Sequence, residues 1–458
     1  MMERLVGPEY GRTKPEPRKG ESPTRKCMVS QDVVEEELLK AARVGKHATV
    51  RYSTEMMDFE DLGDSVSVRV RDVRSDEIET WQAEWLVAAD GAGSGTRRAA
   101  GIEMVGPPCL GVMLNEYIRL DLSNLSIARQ AAIIRVVPRD PGRPVISLLN
   151  TNAADRWLKV MRIGATEDER TPEQREMNIN EFLRHYVGRD DLVATSINSS
   201  TWRMSKQVAA SFRKGRVLLA GDAAHRFPPT GGFGLNTGVQ DAHNLAWKLA
   251  YVLNGRATEK LIDTYDEERR PIAQANADFS LGNSLRIPHV DRAMRSNNRE
   301  RIEFWIEDLD NHLHSVGQSL GFIYESSAVI ADGSTRPLHS ARHYAPVDRP
   351  GSRFPHLWLD ADHTKSTLDW FDKDIVLAVG DEADEWITAA DEVSRQLNMP
   401  LIARRLPRNA RDAGCLIGRK GAALVRPDGQ VAWRIAWSAP DATSQLASAV
   451  KKVVSAPG

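Results

Sequence analysis

Between Val217 and Leu253 the sequence sets a carboxylate, a run of turn formers and a helix in direct succession. Val217-Leu218-Leu219-Ala220 is a short apolar run with strand character that stops at Gly221-Asp222. Pro228, Pro229, Gly231, Gly232 and Gly234 follow, residues that let a backbone turn sharply and lie close to a ligand. A helix is expected from near Thr237. Val239, Ala242, Ala246, Leu249 and Leu253 recur at spacings of three and four, which predicts one core-facing stripe, and Asn254-Gly255 can close the helix. A carboxylate at a strand end, a glycine-lined cradle and a helix N-terminus suit a ligand with a polyol to hydrogen-bond and an electron-rich end to set against the helix dipole. A flavin has both. His225, beside the aspartate, reads as a hydrogen-bonded scaffold residue rather than a catalytic one.

A second signature lies upstream. Trp85-Leu86-Val87-Ala88-Ala89 is strand-like and leads into Asp90-Gly91-Ala92-Gly93-Ser94-Gly95-Thr96-Arg97-Arg98. A dinucleotide-binding G-x-G-x-x-G is excluded by spacing, because Gly91 and Gly93 would require glycine at Thr96, and Gly93 and Gly95 would require it at Arg98. The first thirty residues hold no strand-like apolar run, and Gly7, Gly11 and Gly20 do not form that motif either. A strand, G-x-G-x-x-G and helix is the usual cradle for the adenosine diphosphate half of a dinucleotide.

Taken together, Gly221-Asp222-Ala223-Ala224-His225, Pro228-Pro229, Gly231-Gly232, Gly234-Leu235-Asn236 and Asp241-x-x-Asn244-Leu245-x-Trp247-Lys248-Leu249 resemble the phenol-hydroxylase-like, FAD-dependent aromatic monooxygenases, including those acting on polyketides. The segment Ser22–Ala42 is similar to the family's stretch with a flavin-contacting glutamine, here Gln31, followed by a helix. The resemblance implies an α/β fold: a Rossmann-like FAD/NAD(P)-binding domain, N-terminally incomplete, with a β-sheet substrate domain and a thioredoxin-like C-terminal domain. It implies that Asp222 binds the ribityl hydroxyls and that Gly221, Pro229, Gly232, Gly234, Leu235 and Asn236 shape the loop against the isoalloxazine. By the same token Gln31, Asp90 and Gly91 help organise the cofactor region. FAD is the implied cofactor and NAD(P)H the cosubstrate; a flavin C4a-hydroperoxide then transfers oxygen to an electron-rich ring. The partners so implied are a small aromatic substrate and molecular oxygen, with a homodimer as a further expectation. No catalytic side chain is named.

The elements that must position these residues are read as follows. Residues 1–110 form the first part of the FAD-binding domain, 111–205 a substrate-binding β-sheet domain, 206–285 the second part of the FAD-binding domain, 286–344 a helical connection and 345–458 the thioredoxin-like unit. Short strands are expected at 117–120, 132–137, 145–149 and 158–163, with a helix start at Thr171-Pro172-Glu173 and a further strand at 199–203. Trp157, Trp202 and Arg203 are candidate substrate residues of that sheet. In the last unit 375–379 reads as a buried strand, 384–397 as a helix, and 422–426 with 430–434 as a hairpin around Pro427-Asp428-Gly429.

Composition sets looser limits. A chain of 458 residues is expected to divide into two or three domains. A net charge of -2 leaves no footprint for nucleic acid or an anionic membrane, and no stretch has the apolar length to span a bilayer. Cys27, Cys109 and Cys415 are widely spaced with no CxxC, which argues against a zinc site, a disulfide scaffold and dithiol exchange, and for a reducing, cytoplasmic setting. The missing G-x-G-x-x-G supports a second reading, a truncated, non-catalytic remnant serving at most as a binding or interaction module.

Overall fold

The computed structural model describes residues 21–24, 29–45, 47–125, 131–152 and 154–454. Cys27 and the glycines at 7, 11 and 20 lie outside them. Helix α1 (Gln31–Val44) buries none of its side chains. It is followed by an antiparallel meander of β1 (Thr54–Asp61), β2 (Val66–Asp72) and β3 (Ile78–Ala83), in which Val66, Val68 and Val70 turn inward at every second residue, as the strand period requires. β4 (Leu86–Ala88) ends in the Asp90 turn, which feeds the short helix α2 (Gly95–Ala99) and then β5 (Met104–Val105).

A five-stranded antiparallel sheet occupies 111–204: β6 (Gly111–Leu120), β7 (Ile133–Val136), β8 (Ile146–Asn150), β9 (Arg156–Gly164) and β10 (Ala194–Met204), in the order β10-β6-β9-β8-β7. One face is closed by α4 (Ile179–Phe182), which follows the exposed α3 (Pro172–Glu176) and its capping box at Thr171. Val112, Leu114, Ile118, Trp157, Met161, Ile179, Phe182 and Leu183 share that core.

The chain returns to the first unit through β11 (Gln207–Ala209), β12 (Arg213–Lys214) and β13 (Val217–Leu219), then β14 (His225–Arg226). β13 lies parallel to β4, pairing Val217 with Leu86 and Leu219 with Ala88, and its three residues are fully buried. Helix α5 (Phe233–Leu253) and the 37-residue α6 (Lys260–Ser296) pack beside this pair. α7 (Arg299–Leu313) and α8 (Val316–Leu320) lead to the C-terminal unit. There β15 (Ile375–Val379), α9 (Asp384–Gln396), β16 (Leu401–Arg405), β17 (Ala422–Val425), β18 (Val431–Ile435) and α10 (Ala442–Val453) build a sheet of order β16-β15-β17-β18, parallel only between β15 and β16. This is the thioredoxin-like arrangement that the sequence resemblance implies.

Two expectations for α5 are corrected. The helix begins at Phe233 rather than near Thr237, because Gly232 adopts the left-handed conformation (φ 71°) and serves as N-cap. Gly234, Leu235 and Asn236 are therefore its first turn rather than a loop. The inward face is also different. Val239 and Leu253 are 54% and 48% exposed, and Ala242 and Ala246 are exposed as well. Phe233, Thr237, Asp241, Asn244, Leu245, Trp247, Lys248 and Tyr251 point inward. An apolar period locates a core only when the polar residues beside it lack buried partners, and here they have them.

Candidate functional site

Asp90 and Asp222 stand at the carboxyl ends of neighbouring parallel strands, the place where open α/β sheets receive ligands. Their roles differ. Asp90 accepts hydrogen bonds from Thr96 N (3.0 Å) and Thr96 Oγ1 (2.9 Å), while Ser94 caps α2 by accepting from Arg97 N at 2.9 Å. Burial opposes ionisation of Asp90, but the bonds from Ser94 and Thr96 outweigh it and hold the carboxyl below its usual range. Gly91 turns the chain at φ 78°, and its carbonyl accepts from Ser94 N at 3.0 Å. Asp222 is exposed and carries no hydrogen bond among the described residues.

Two arginines face these carboxylates, Arg97 toward Asp90 and Arg226 toward Asp222, with Arg98 near both guanidinium groups. Arg97 donates to the Ala223 carbonyl at 3.2 Å, tying one signature to the other. Burial, with the charges of Arg226 and Arg98, lowers its affinity for the proton; burial and Arg98 do the same to Arg226, against the opposing pull of Asp222. The Nε atoms of Arg97 and Arg226 are buried without a partner among the described residues. Guanidinium groups remain charged nevertheless. Arg97, Arg98 and Arg226 lie close enough to repel one another, which makes the crevice electropositive and suited to an anion. The sequence reading passed over Arg226; its position next to His225 in the Asp222 loop was the available signal.

The Asp222 loop is held from below. Asp241 of α5 accepts from Gly221 N (3.1 Å) and Arg269 Nε (2.9 Å), and its Oδ2 lies 2.6 Å from His225 Nε2. Arg269 also donates to Tyr324 Oη, Thr237 O and Gln240 Oε1. His225, Asp241 and Arg269 are all wholly buried. Burial disfavours the Asp241 carboxylate, yet the Arg269 charge and the bonds from His225 and Arg269 keep it below the ordinary value. His225 is thus enclosed scaffold, stacked on Phe227 with ring centroids 5.3 Å apart. Above it, Gly221 (φ 60°) approaches Gly238 so closely that a Cβ on Gly238 would stand 3.2 Å from the Gly221 Cα. The N-terminus of α5 is thereby brought against the Asp222 turn. Gly238, which the sequence reading did not single out, is what permits the approach.

No side chain caps α5. Gly232 N donates to Pro229 O at 3.0 Å, and Asn236 Nδ2 folds back onto Gly232 O at 2.6 Å. Pro229, Gly232, Leu235 and Asn236 are exposed and Gly234 is half-buried, so the first-turn N–H groups are open to a ligand. An exposed carboxylate, a glycine approach and an uncapped 21-residue helix fit the ribityl and isoalloxazine portions of FAD. Gln31 is not drawn into this crevice by any hydrogen bond: it is exposed at the start of α1 and donates to Glu35 at 2.6 Å.

A deeper cluster joins α5 and α6 to the C-terminal unit. Glu268 of α6 accepts from Lys248 (2.8 Å), Asn244 (2.7 Å), Ser326 (2.6 Å) and both terminal nitrogens of Arg426 (2.5 and 2.8 Å). Arg426 also meets Asp428, and the four charged side chains are at most 2% exposed. Burial pulls Lys248 down to about 8, against the attraction of Glu268. Two cations and two anions close this cluster without net charge.

The candidate substrate residues separate. Trp157 is a core residue: it is 1% exposed on the helix-covered face and donates its indole N–H to Leu120 O at 3.1 Å. That placement corrects the expectation of substrate contact. Trp202 pairs with Met113 and lies on the opposite face, in step with Ser200, Asn115, Val160, Ser147 and Arg135, which follow one another across the strands. Arg135 crosses from this face to Asp291 of α6 at 2.7 Å. α6 also passes the glycine loop, where Thr230 Oγ1 donates to Ser280 O at 2.6 Å. The Trp202 face therefore looks toward the helix that borders the loop. Trp202 Nε1 and Asn115 Oδ1 are both buried without a partner among the described residues. Arg203 points the other way along the strand and is exposed.

Fold and crevice define a flavin-binding α/β protein with an appended β-sheet unit and a thioredoxin-like tail. Residues 2–280 match the family described as FAD binding domain, and 347–457 match the aromatic-ring hydroxylase C-terminal family. The chain is 33% identical to tetracenomycin A2 monooxygenase-dioxygenase of Streptomyces glaucescens, over 94% of its own length and 76% of that protein's. It is equally 33% identical to 4-methyl-5-nitrocatechol 5-monooxygenase of a Burkholderia species, covering 94% and 79%. Among solved structures, the flavin-dependent monooxygenase PieE in complex with FAD and substrate superposes with a TM-score of 0.88 at 26% identity, covering 96% of this chain and 82% of that one. A ternary complex of aklavinone-11 hydroxylase with FAD and aklavinone gives 0.79 at 30% identity, covering 95% and 80%. The chain belongs to the FAD-dependent aromatic-ring hydroxylase family of flavoprotein monooxygenases. These matches favour an enzyme over a non-catalytic remnant. No helix among the described residues is long and apolar enough to cross a membrane.

Proposed function

We propose that this chain hydroxylates a phenolic or polyketide aromatic ring, using FAD, NAD(P)H and molecular oxygen, in the cytoplasm. The observation that carries the site assignment is the exposed Asp222 carboxylate, without a hydrogen bond among the described residues, beside the uncapped start of α5. Its two oxygens would accept from ribityl hydroxyls of bound FAD, and the N–H groups of Gly234, Leu235 and Asn236 would serve the flavin ring. Arg97 and Arg226 supply positive charge to the crevice, while Asp90 and Gly91 hold the turn that carries Arg97. When bound and reduced by NAD(P)H, FAD supplies the activated oxygen. The protein binds the ring, orients it and keeps water away.

The substrate wall is the Trp202 face of the sheet. A phenolic hydroxyl can accept from Trp202 Nε1 and donate to Asn115 Oδ1, which relieves two unsatisfied buried groups at once. The reading is tested by loading the chain with FAD and following NAD(P)H oxidation with phenol, 2,4-dichlorophenol and a hydroxyanthraquinone. Stimulated oxidation with a product heavier by one oxygen supports it. An FAD-loaded protein that produces no hydroxylated product from any of them counts against it. Light scattering on the same preparation checks the proposed homodimer.

A further inference from the structure

A second concave site lies away from the Asp222 crevice, where residues 317–353 pack against the C-terminal unit. Its floor is apolar, with Leu320, Phe322 and Ile323, and its wall carries Arg353, His339 and His343; among the described residues no aspartate or glutamate lines it, though the charge of Glu21 reaches Tyr344 on the wall. Arg336 also lines the cavity but turns Nη1 to Glu325 at 3.2 Å. Arg353 is half-buried and gives Nη1 to the Glu21 backbone carbonyl at 2.9 Å. Beside it Ser352 is only 5% exposed, and its Oγ has no hydrogen-bond partner among the described residues. Burial pushes the Tyr344 phenol up, with the Glu21 charge adding to it and Arg353 opposing, so its hydroxyl stays a donor at neutral pH.

His339 is fixed by a buried amide chain. Its Nε2 lies 3.0 Å from Gln318 Oε1, Gln318 Nε2 donates to Asn276 Oδ1 at 2.8 Å, and Asn276 Nδ2 donates to Thr237 Oγ1 at 3.0 Å. Nε2 therefore carries the hydrogen, and Nδ1 is the nitrogen left for the cavity. Arg353, Tyr344 and a buried Ser352 hydroxyl with no partner among the described residues offer donors above the apolar floor, and a matching acceptor recovers the cost of leaving that hydroxyl unpaired; the Glu21 charge beside Tyr344 opposes it in part.

We infer that this cavity binds a small oxyanion, the carboxylate or phosphate of a compact organic molecule, held by Arg353, Ser352 and Tyr344 with its apolar part on Leu320 and Phe322. Charged acceptors on an arginine and hydroxyl donors make the stronger kind of hydrogen bond. The site is independent of the flavin assignment. Isothermal titration of the full chain with inorganic phosphate and with benzoate, against benzamide as the uncharged counterpart, tests it. One anion is expected per chain, with benzamide weaker than benzoate by about tenfold or more. Arg353→Met should weaken the anion by about tenfold or more, and Ser352→Ala by roughly three- to tenfold. Ser352→Ala removes an atom that holds no bond, so it reports on the site even where Arg353→Met disturbs folding. Tighter phosphate points to a phosphate ester as the ligand, tighter benzoate to an aryl carboxylate. Equal binding of benzamide and benzoate, anion binding that Ser352→Ala leaves unchanged, or no heat with either anion up to about 10 mM would overturn the inference.

Discussion

The Asp90 and Asp222 turns are built alike, each an aspartate and a glycine at the end of a short parallel strand, yet their carboxylates are spent differently. Asp90 is consumed by its own loop, through Thr96 N and Oγ1, and its work is to hold α2 and Arg97. Asp222 is left to solvent because another carboxylate, Asp241, does the internal work for its turn by accepting from Gly221 N. A sequence motif marks where the chain turns toward a ligand. Which acid then touches the ligand is settled by which backbone N–H groups still lack an acceptor.

The sharpest way to break that contrast is to remove the hidden carboxylate. Asp241→Ala leaves Arg269 and His225 buried without their acceptor, and the loss of one member of a buried pair costs about 3–5 kcal/mol. Urea unfolding should show that loss, with weaker flavin binding alongside. Acid acts in the same sense. Asp241 is held below its usual value, so its stabilisation is complete above the ordinary carboxylate range and fades as pH falls through the lowered value. A variant as stable as the parent would mean that the Asp222 turn stands without support from α5.

Asp222→Ala comes next and should act on binding alone. Losing hydrogen bonds to a charged acceptor weakens FAD by about 1.5–3 kcal/mol, measured by flavin fluorescence titration. Stability should stay within about 0.5 kcal/mol, as for an exposed side chain with no hydrogen bond among the described residues. Unchanged FAD affinity would remove Asp222 from the cradle. Asp90→Ala reverses the pattern: it should cost about 1 kcal/mol of stability, the scale of a lost helix-start acceptor, with a smaller change in FAD affinity than Asp222→Ala. If Asp90→Ala weakens FAD more than Asp222→Ala does, the two roles are interchanged.

Most of the architecture was legible because it follows from local pattern. β7, β8 and β9 of the five-stranded sheet, the Thr171 start of α3, the strand at 375–379 and the hairpin around Asp428 lie close to where alternation and turn residues put them, while β6 and β10 start well before the expected 117 and 199. What was not legible depends on partners distant in sequence. Trp157 looks like any aromatic at a sheet edge until its register opposite Ile118 places it under α4. Arg226 becomes interesting only once Arg97, more than a hundred residues earlier, is seen beside it. The error on α5 has the same origin. Asp241, Asn244 and Lys248 lie outside the apolar stripe, and they turn inward because Arg269, Glu268 and Arg426 arrive from α6 and from the C-terminal hairpin.

That reversal of α5 yields the smallest expected effect and the cleanest contrast. If Val239 faced the core, as its apolar spacing suggests, trading a methyl for a hydroxyl would bury a polar group and cost about 1–3 kcal/mol. With Val239 54% exposed, Val239→Thr should fall within about 0.5 kcal/mol of the parent in urea unfolding. Asn244→Leu, one turn and a residue further along the same helix, makes the opposite prediction despite adding apolar surface. It removes a donor from Glu268 at 2.7 Å and from Asp428 at 3.2 Å inside a fully buried cluster. Leaving those acceptors short of a partner should cost about 1–3 kcal/mol. Were Val239→Thr the more damaging of the two, the helix would face its core with the apolar stripe after all, and the buried charge clusters beneath the flavin loop would have to be redrawn.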